Sequence, residues 1–138
     1  MAKAEKAFLA ALAEDSELAE VRFNLALLRL RQKRYEDARQ ELGRVVESRP
    51  NMAGAWFYLG LAKALTGHSG EAVADYRRAL EIDPSHTRAY LELGRALEKT
   101  GDVAEARRFL EHGLKVVGQP DALSRPLAHL PVARLPDR

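Results

Sequence analysis

The side chains best equipped for chemistry are few and far apart. His68, His86, His112 and His129 fall at turns, on a helix pattern and in the C-terminal stretch. None stands four residues from another ligand in the His-Glu-x-x-His spacing that puts two imidazoles on one helix face around zinc. There is no cysteine, which removes thiolate metal sites, cysteine nucleophiles and a disulfide scaffold together. No Gly-x-Ser-x-Gly elbow and no phosphate-cradling glycine loop occurs. Carboxylates such as Glu36-Asp37 and Glu81 with Asp83 sit at the starts and ends of helix patterns, where capping and solvation account for them. The reading is therefore no enzyme, no cofactor and no metal. What remains is charge: Arg88, Arg95 and Lys99 fall at i, i+7 and i+11, one face of a helix. They read either as a solvated face or as the basic rim of a binding surface.

The charge balance narrows the partner. Twenty-two Lys+Arg face 20 Asp+Glu, a net of +2, too little to call for a polyanion. The densest basic run, Arg29-Leu30-Arg31-Gln32-Lys33-Arg34, ends a helix pattern, where cations complement the helix dipole. Nucleic acid is not an expected partner. Apolar stretches are interrupted by charges well short of the ~20 residues that span a bilayer. The N-terminus lacks the apolar run of a secretory leader, so no membrane role is read and the cytoplasm is the expected location. A composition of 46% hydrophobic and 30% charged residues is that of a globular chain.

The elements that must position these residues follow from an internal repeat. Trp56-Phe57-Tyr58-Leu59-Gly60 returns as Tyr90-Leu91-Glu92-Leu93-Gly94 and, more faintly, as Arg22-Phe23-Asn24-Leu25-Ala26, at an offset of 34 residues. Asp37-Ala38, Glu71-Ala72 and Glu105-Ala106 keep the same offset, as do Pro50 and Pro84. The units are 19–52, 53–86 and 87–120. Each holds two apolar patterns at helical period. Gly67 and Gly101 stand where the first helix should end, Asp102 with Glu105 reads as an N-cap and reciprocal capping box, and the prolines close the second helix. The first unit has Lys33 in the glycine column, a weaker turn signal.

These residues carry a resemblance to the tetratricopeptide repeat, over roughly residues 4–118. The signature columns hold Leu25, Ala38 and Pro50 in the first unit. The second unit has Trp56, Leu59, Gly60, Ala72, Tyr76, Ala79 and Pro84. The third has Tyr90, Leu93, Gly94 and Ala106. The resemblance implies an all-α, right-handed superhelical solenoid of antiparallel helix pairs, whose first helices line a concave groove. Small residues at Gly60, Gly94, Ala72 and Ala106 would let the helices approach. Carried onto this chain, the groove columns are Phe23, Leu27, Leu30 and Arg31; then Phe57, Leu61 and Leu65; then Arg88, Leu91, Arg95, Glu98 and Lys99. Phe23 and Phe57 are expected as exposed floor, with inter-helix packing the other reading. Some members grip chaperone-tail carboxylates with a Lys/Asn/Arg clamp; here Phe23, Leu27, Phe57 and Tyr58 occupy those places, so that use is not expected.

At the ends, Ala4, Phe8 and Ala11 continue the register backwards, making 1–18 a half-repeat. Residues 121–138 form a Pro/Leu-rich tail, part of which is expected against the last helix. Arg22 and Arg29 are expected to reach the acids of the half-repeat. The function implied is a non-enzymatic scaffold or adaptor that takes a peptide or partner protein with apolar anchors and an acidic end. The alternatives are self-association, with the tail of one chain in the groove of another, and the regulatory part of a longer enzyme.

Overall fold

Every stretch with a helical apolar period between residues 19 and 118 folds as a helix, and the connections between helices are three or four residues long. The computed structural model describes residues 3–7, 9 and 18–118. Residues 3–7 are helical. Six helices follow: α1 (Ala19–Arg31), α2 (Tyr35–Ser48), α3 (Ala53–Leu65), α4 (Ser69–Ile82), α5 (Thr87–Lys99) and α6 (Val103–Val117). First helices begin at Ala19, Ala53 and Thr87, and second helices at Tyr35, Ser69 and Val103, each 34 residues after the last. The fold is an all-α solenoid of helix pairs, with no strand among the described residues. The tail expected against α6, and Phe8 and Ala11 of the half-repeat, lie outside the described residues.

Turn chemistry explains where helices stop. Gly67 and Gly101 adopt φ of +88° and +93°, the left-handed geometry that closes a helix at no steric cost. Lys33 occupies the same column and takes φ +62°, a conformation that costs a side-chain-bearing residue about 1 kcal/mol. Asp102 caps α6 by accepting from the Glu105 amide at 3.4 Å. The expected reciprocal half of that box does not form. The Asp102 amide donates to the Leu97 carbonyl at 2.8 Å, and the Glu105 carboxylate reaches back to Arg77 of the preceding unit.

Packing within the second and third pairs depends on one missing side chain in each, where the first pair has the buried Ala26. A Cβ on Gly60 would lie 2.9 Å from Tyr76 Cε1 and 3.1 Å from Asp75 Cβ, and one on Gly94 would lie 2.9 Å from Leu110 Cδ1. Ala38, Ala72, Ala79 and Ala106 are fully buried along the same seams. The aromatic that opens the signature in the second and third units also makes a hydrogen bond. Trp56 Nε1 donates to the Pro50 carbonyl and Tyr90 Oη to the Pro84 carbonyl, both at 2.8 Å. Each bond ties the start of a first helix to the turn before it. Leu25, Leu59 and Leu93 fill the interior, each contributing about 1.5–3 kcal/mol by burial.

Stacking between units follows. One buried cluster joins Ala38, Leu42 and Val45 to Leu59, another runs from Phe57 and Tyr76 to Leu93 and Leu110, and Trp56 and Tyr58 pack against both. The core is a ribbon along the stack, as expected of a quasi-one-dimensional array. First helices of neighbouring units touch, α1 with α3 and α3 with α5, whereas second helices are splayed. The first helices therefore lie on the inside of the curve. Among the described residues, no helix is long and apolar enough to cross a membrane.

Two interior columns carry charge in some units and hydrocarbon in others. In the second unit Lys63 Nζ lies 2.9 Å from the buried Asp75 Oδ2. Burial pushes the Asp75 carboxyl up and Lys63 pulls it back. In the third unit the same columns hold Leu97 and Phe109. In the first they hold Arg29 and Glu41, which do not pair: Arg29, only 8% exposed, takes Glu5 from the N-terminal helical residues, while Arg22 takes Glu41 at 2.7 Å. Arg22 thus finds an acid inside its own unit.

Two substitutions test these causes in urea unfolding. Gly60→Leu should cost more than about 1 kcal/mol through overpacking against Tyr76; an unchanged midpoint would show that α3 and α4 can part freely. Lys33→Gly should stabilise by about 0.5–1 kcal/mol by relieving the left-handed lysine, and a loss of stability would contradict the strain.

Candidate functional site

The inner face is built by α1, α3 and α5, and the structure distributes the sequence-derived residues unevenly along it. Phe23, Leu27 and Leu30 on α1 are half-buried and Arg31 is exposed; on α3, Leu61 is half-buried and Leu65 is 48% exposed. On α5, Arg88, Arg95 and Lys99 are exposed, while Leu91 and Glu98 are half-buried. Phe57 departs from the expectation of an exposed floor. It is 1% exposed, packed against Tyr76, Tyr58 and the His86 ring, whose centroid lies 4.8 Å away. The residue column explains the difference from Phe23. The third unit places Arg88 over Phe57, whereas the second unit has Gly54 in that column, leaving Phe23 without such a lid.

The aromatic cluster at the unit junctions holds one cation in place. Arg88 Cζ sits 5.0 Å from the centroid of Phe57 and 5.9 Å from that of Tyr58, and Nη1 donates to Tyr58 Oη at 3.4 Å. Phe23 meets Tyr58 edge-on at 6.0 Å. Guanidinium stacking of this kind leaves the outer edge of the fork open to an anion. Arg95 donates to Glu92 at 3.0 Å, so part of its charge is already balanced. Along the helix it lies about 10 Å beyond Arg88, and Lys99 about 16 Å beyond. The three cations form a line and not a cluster.

Sequence similarity decides the class. A family model described as the tetratricopeptide repeat matches residues 1–59 and 63–125, and a second with the same description matches 35–85. The chain belongs to the tetratricopeptide repeat family. Among similar proteins, the probable biofilm formation methyltransferase WspC of Pseudomonas putida is 35% identical over 80 residues, covering 58% of this chain and 19% of that protein. The chain thus spans about a fifth of such a relative. Among solved structures, MamA superposes with a TM-score of 0.79 at 18% identity, covering 90% of this chain and 82% of that one. The Yersinia enterocolitica type III secretion chaperone SycD, in complex with a peptide of the translocator YopD, gives 0.73 at 20% identity, covering 79% and 88%. These likenesses concern the fold.

Within the tetratricopeptide frame, two residues of the junction escape a reading by sequence pattern. Tyr58 shares a column with Asn24 and Glu92, and His86 one with Leu18 and Met52. The available signal is the contrast within the column: an aromatic among polar residues, and a titratable ring among apolar ones at a helix start. His86 is the N-cap of α5, and its Nδ1 accepts from the Ala89 amide at 3.2 Å. Leu18 and Met52 make no side-chain cap on α1 and α3. Burial, reinforced by Arg88, holds the His86 ring below its ordinary 6.5, against the pull of Asp83.

A pH dependence follows, with a definite sign. The unfolded chain binds the His86 proton at higher pH than the folded one, so stability from this group rises as pH rises through the window up to 6.5. It is complete above that value and lost as pH falls through the folded-state value. The difference between the thermal midpoints of the wild type and His86→Asn should therefore change between pH 5 and 7. A constant difference would remove His86 from the balance.

Proposed function

We propose that this chain is a scaffold or adaptor module whose inner trough takes an extended peptide, or a segment of a partner protein, with apolar anchors and an acidic or carboxylate end. The observation that carries the reading is Arg88, stacked on Phe57 and Tyr58 with its outer edge exposed, beside half-buried Phe23 and Leu61. A pre-positioned guanidinium loses little side-chain entropy on meeting a carboxylate. The apolar flank supplies desolvated area for a leucine-like anchor, and Arg95 with Lys99 extends the positive edge for further acidic residues. SycD, which shares this fold and was solved in complex with a peptide of its translocator YopD, supports peptide recognition as a use of the fold.

A second reading concerns context. The likeness to a methyltransferase of which this chain spans 19% favours a module that serves a larger enzyme by holding its target or its regulator. Both readings assign the repeats to recognition and not to bond chemistry.

The test uses fluorescence polarisation with eight-residue peptides carrying two leucines and an Asp-Glu C-terminus, each compared with its amidated twin. The free carboxylate should bind at least about tenfold more tightly, equivalent to about 1.4 kcal/mol. Arg88→Met, which keeps the stem on the aromatic rings, should erase that margin with the urea midpoint unchanged. Equal binding of free and amidated peptides by the wild type would overturn the assignment.

A further inference from the structure

His86 differs from its counterparts in three ways that meet at one place. It is the single first-helix N-cap among the described residues whose side chain makes the cap bond. It is half-buried, with its ring tilted 35° against Phe57 at 4.8 Å. And Phe57 is the same ring over which Arg88, two residues further on, places its guanidinium at 5.0 Å. The Ala89 amide donates to Nδ1, so that nitrogen carries no proton and the ring is the neutral Nε2–H tautomer.

Protonation changes each of these relations. An imidazolium has no acceptor nitrogen, so the bond from Ala89 is lost and the amide keeps only the His86 carbonyl, at 3.1 Å. A positive charge at a helix N-terminus opposes the dipole. It also meets Arg88 across the shared Phe57 ring. The charged groups facing His86 are Asp83, from the end of α4, and Arg88, from α5; α3 presents Phe57, with Tyr58 bound to Arg88. Asp83 is the one countercharge among these. Its Oδ1 already accepts from Ser85 N at 3.1 Å and Ser85 Oγ at 2.8 Å, which fixes it in place as a second seat for the ring.

We propose that His86 is a proton-operated latch on the trough: neutral, it caps α5 and holds the first turn beneath Arg88, and protonated, it releases Ala89, turns to Asp83 and frees Arg88 from the Phe57 and Tyr58 rings. The consequence for ligands rests on the trough reading above; the latch itself does not. Mild acid would then loosen the pre-positioned cation and weaken capture of carboxylate-ended segments.

NMR on the full, ligand-free chain between pH 8 and 5 tests the latch directly. The His86 ring nitrogens should report the Nε2–H tautomer at pH 8, and the Ala89 amide and Arg88 Nε–H should shift with the midpoint of the His86 ring, below 6.5. In His86→Asn, whose side chain caps without titrating, Ala89 and Arg88 should hold their positions over the same range. An Nδ1–H tautomer at pH 8, or an Ala89 amide that stays still while the ring titrates, would overturn the latch. If the resonances move together while the leucine-bearing peptides bind at no pH, the latch stands and the trough reading falls.

Discussion

The spacing between the two helices of a pair governs everything built upon it. At Gly60 and Gly94 the backbone comes so close to Tyr76 and Leu110 that a single methyl group would have to displace them. This closeness lets the short helices of the second and third units bury their aromatic and leucine faces, which isolated helices of 13 to 15 residues could not do in water. It also fixes the angle at which each unit offers its outer faces to the next. The splay of the second helices and the contact of the first helices are consequences of that fixed wedge, repeated. A hollow inner face is thus a by-product of tight packing elsewhere.

Given the wedge, the 34-residue register works as a coordinate system. Residues in one column meet nearly the same surroundings, so differences along a column isolate what a side chain contributes. The interior pair of columns shows this. Lys63 with Asp75, and Leu97 with Phe109, fill corresponding places, in keeping with the small net worth of a buried ion pair relative to hydrocarbon. Arg29 is the informative exception. Its partner column is occupied by Glu41, yet Glu41 is taken by Arg22, and the buried guanidinium draws its countercharge from Glu5. Unit one therefore depends electrostatically on residues outside it, whereas unit two is self-sufficient at the same position.

The architecture is legible in the sequence because its determinants are local and recur. Apolar period, turn glycines and prolines each act within a few residues, and three copies at one offset leave little room for another fold. The positive φ at Gly67 and Gly101 and the close approaches at Gly60 and Gly94 are readable for that reason. Nothing settled by a residue one unit away can be read in the same manner. Spacing gives Glu105 a local box with Asp102, but the Leu97 carbonyl claims the Asp102 amide, and Arg77 supplies a stronger partner.

Phe23 and Phe57 make the same point for the candidate site. They share a column and a residue type, so pattern alone gives them one fate. Their exposures differ because the next unit places Gly54 over one and Arg88 with His86 over the other. The cover also changes the chemistry of the place. An open ring is a patch for an apolar side chain, whereas a ring roofed by a guanidinium is the seat of a cation whose free edge faces outward. The exposure of a ring on the inner face thus depends on the residue at the start of the following first helix. A repeat protein can in this way keep one fold and alter what it recognises, one helix start at a time.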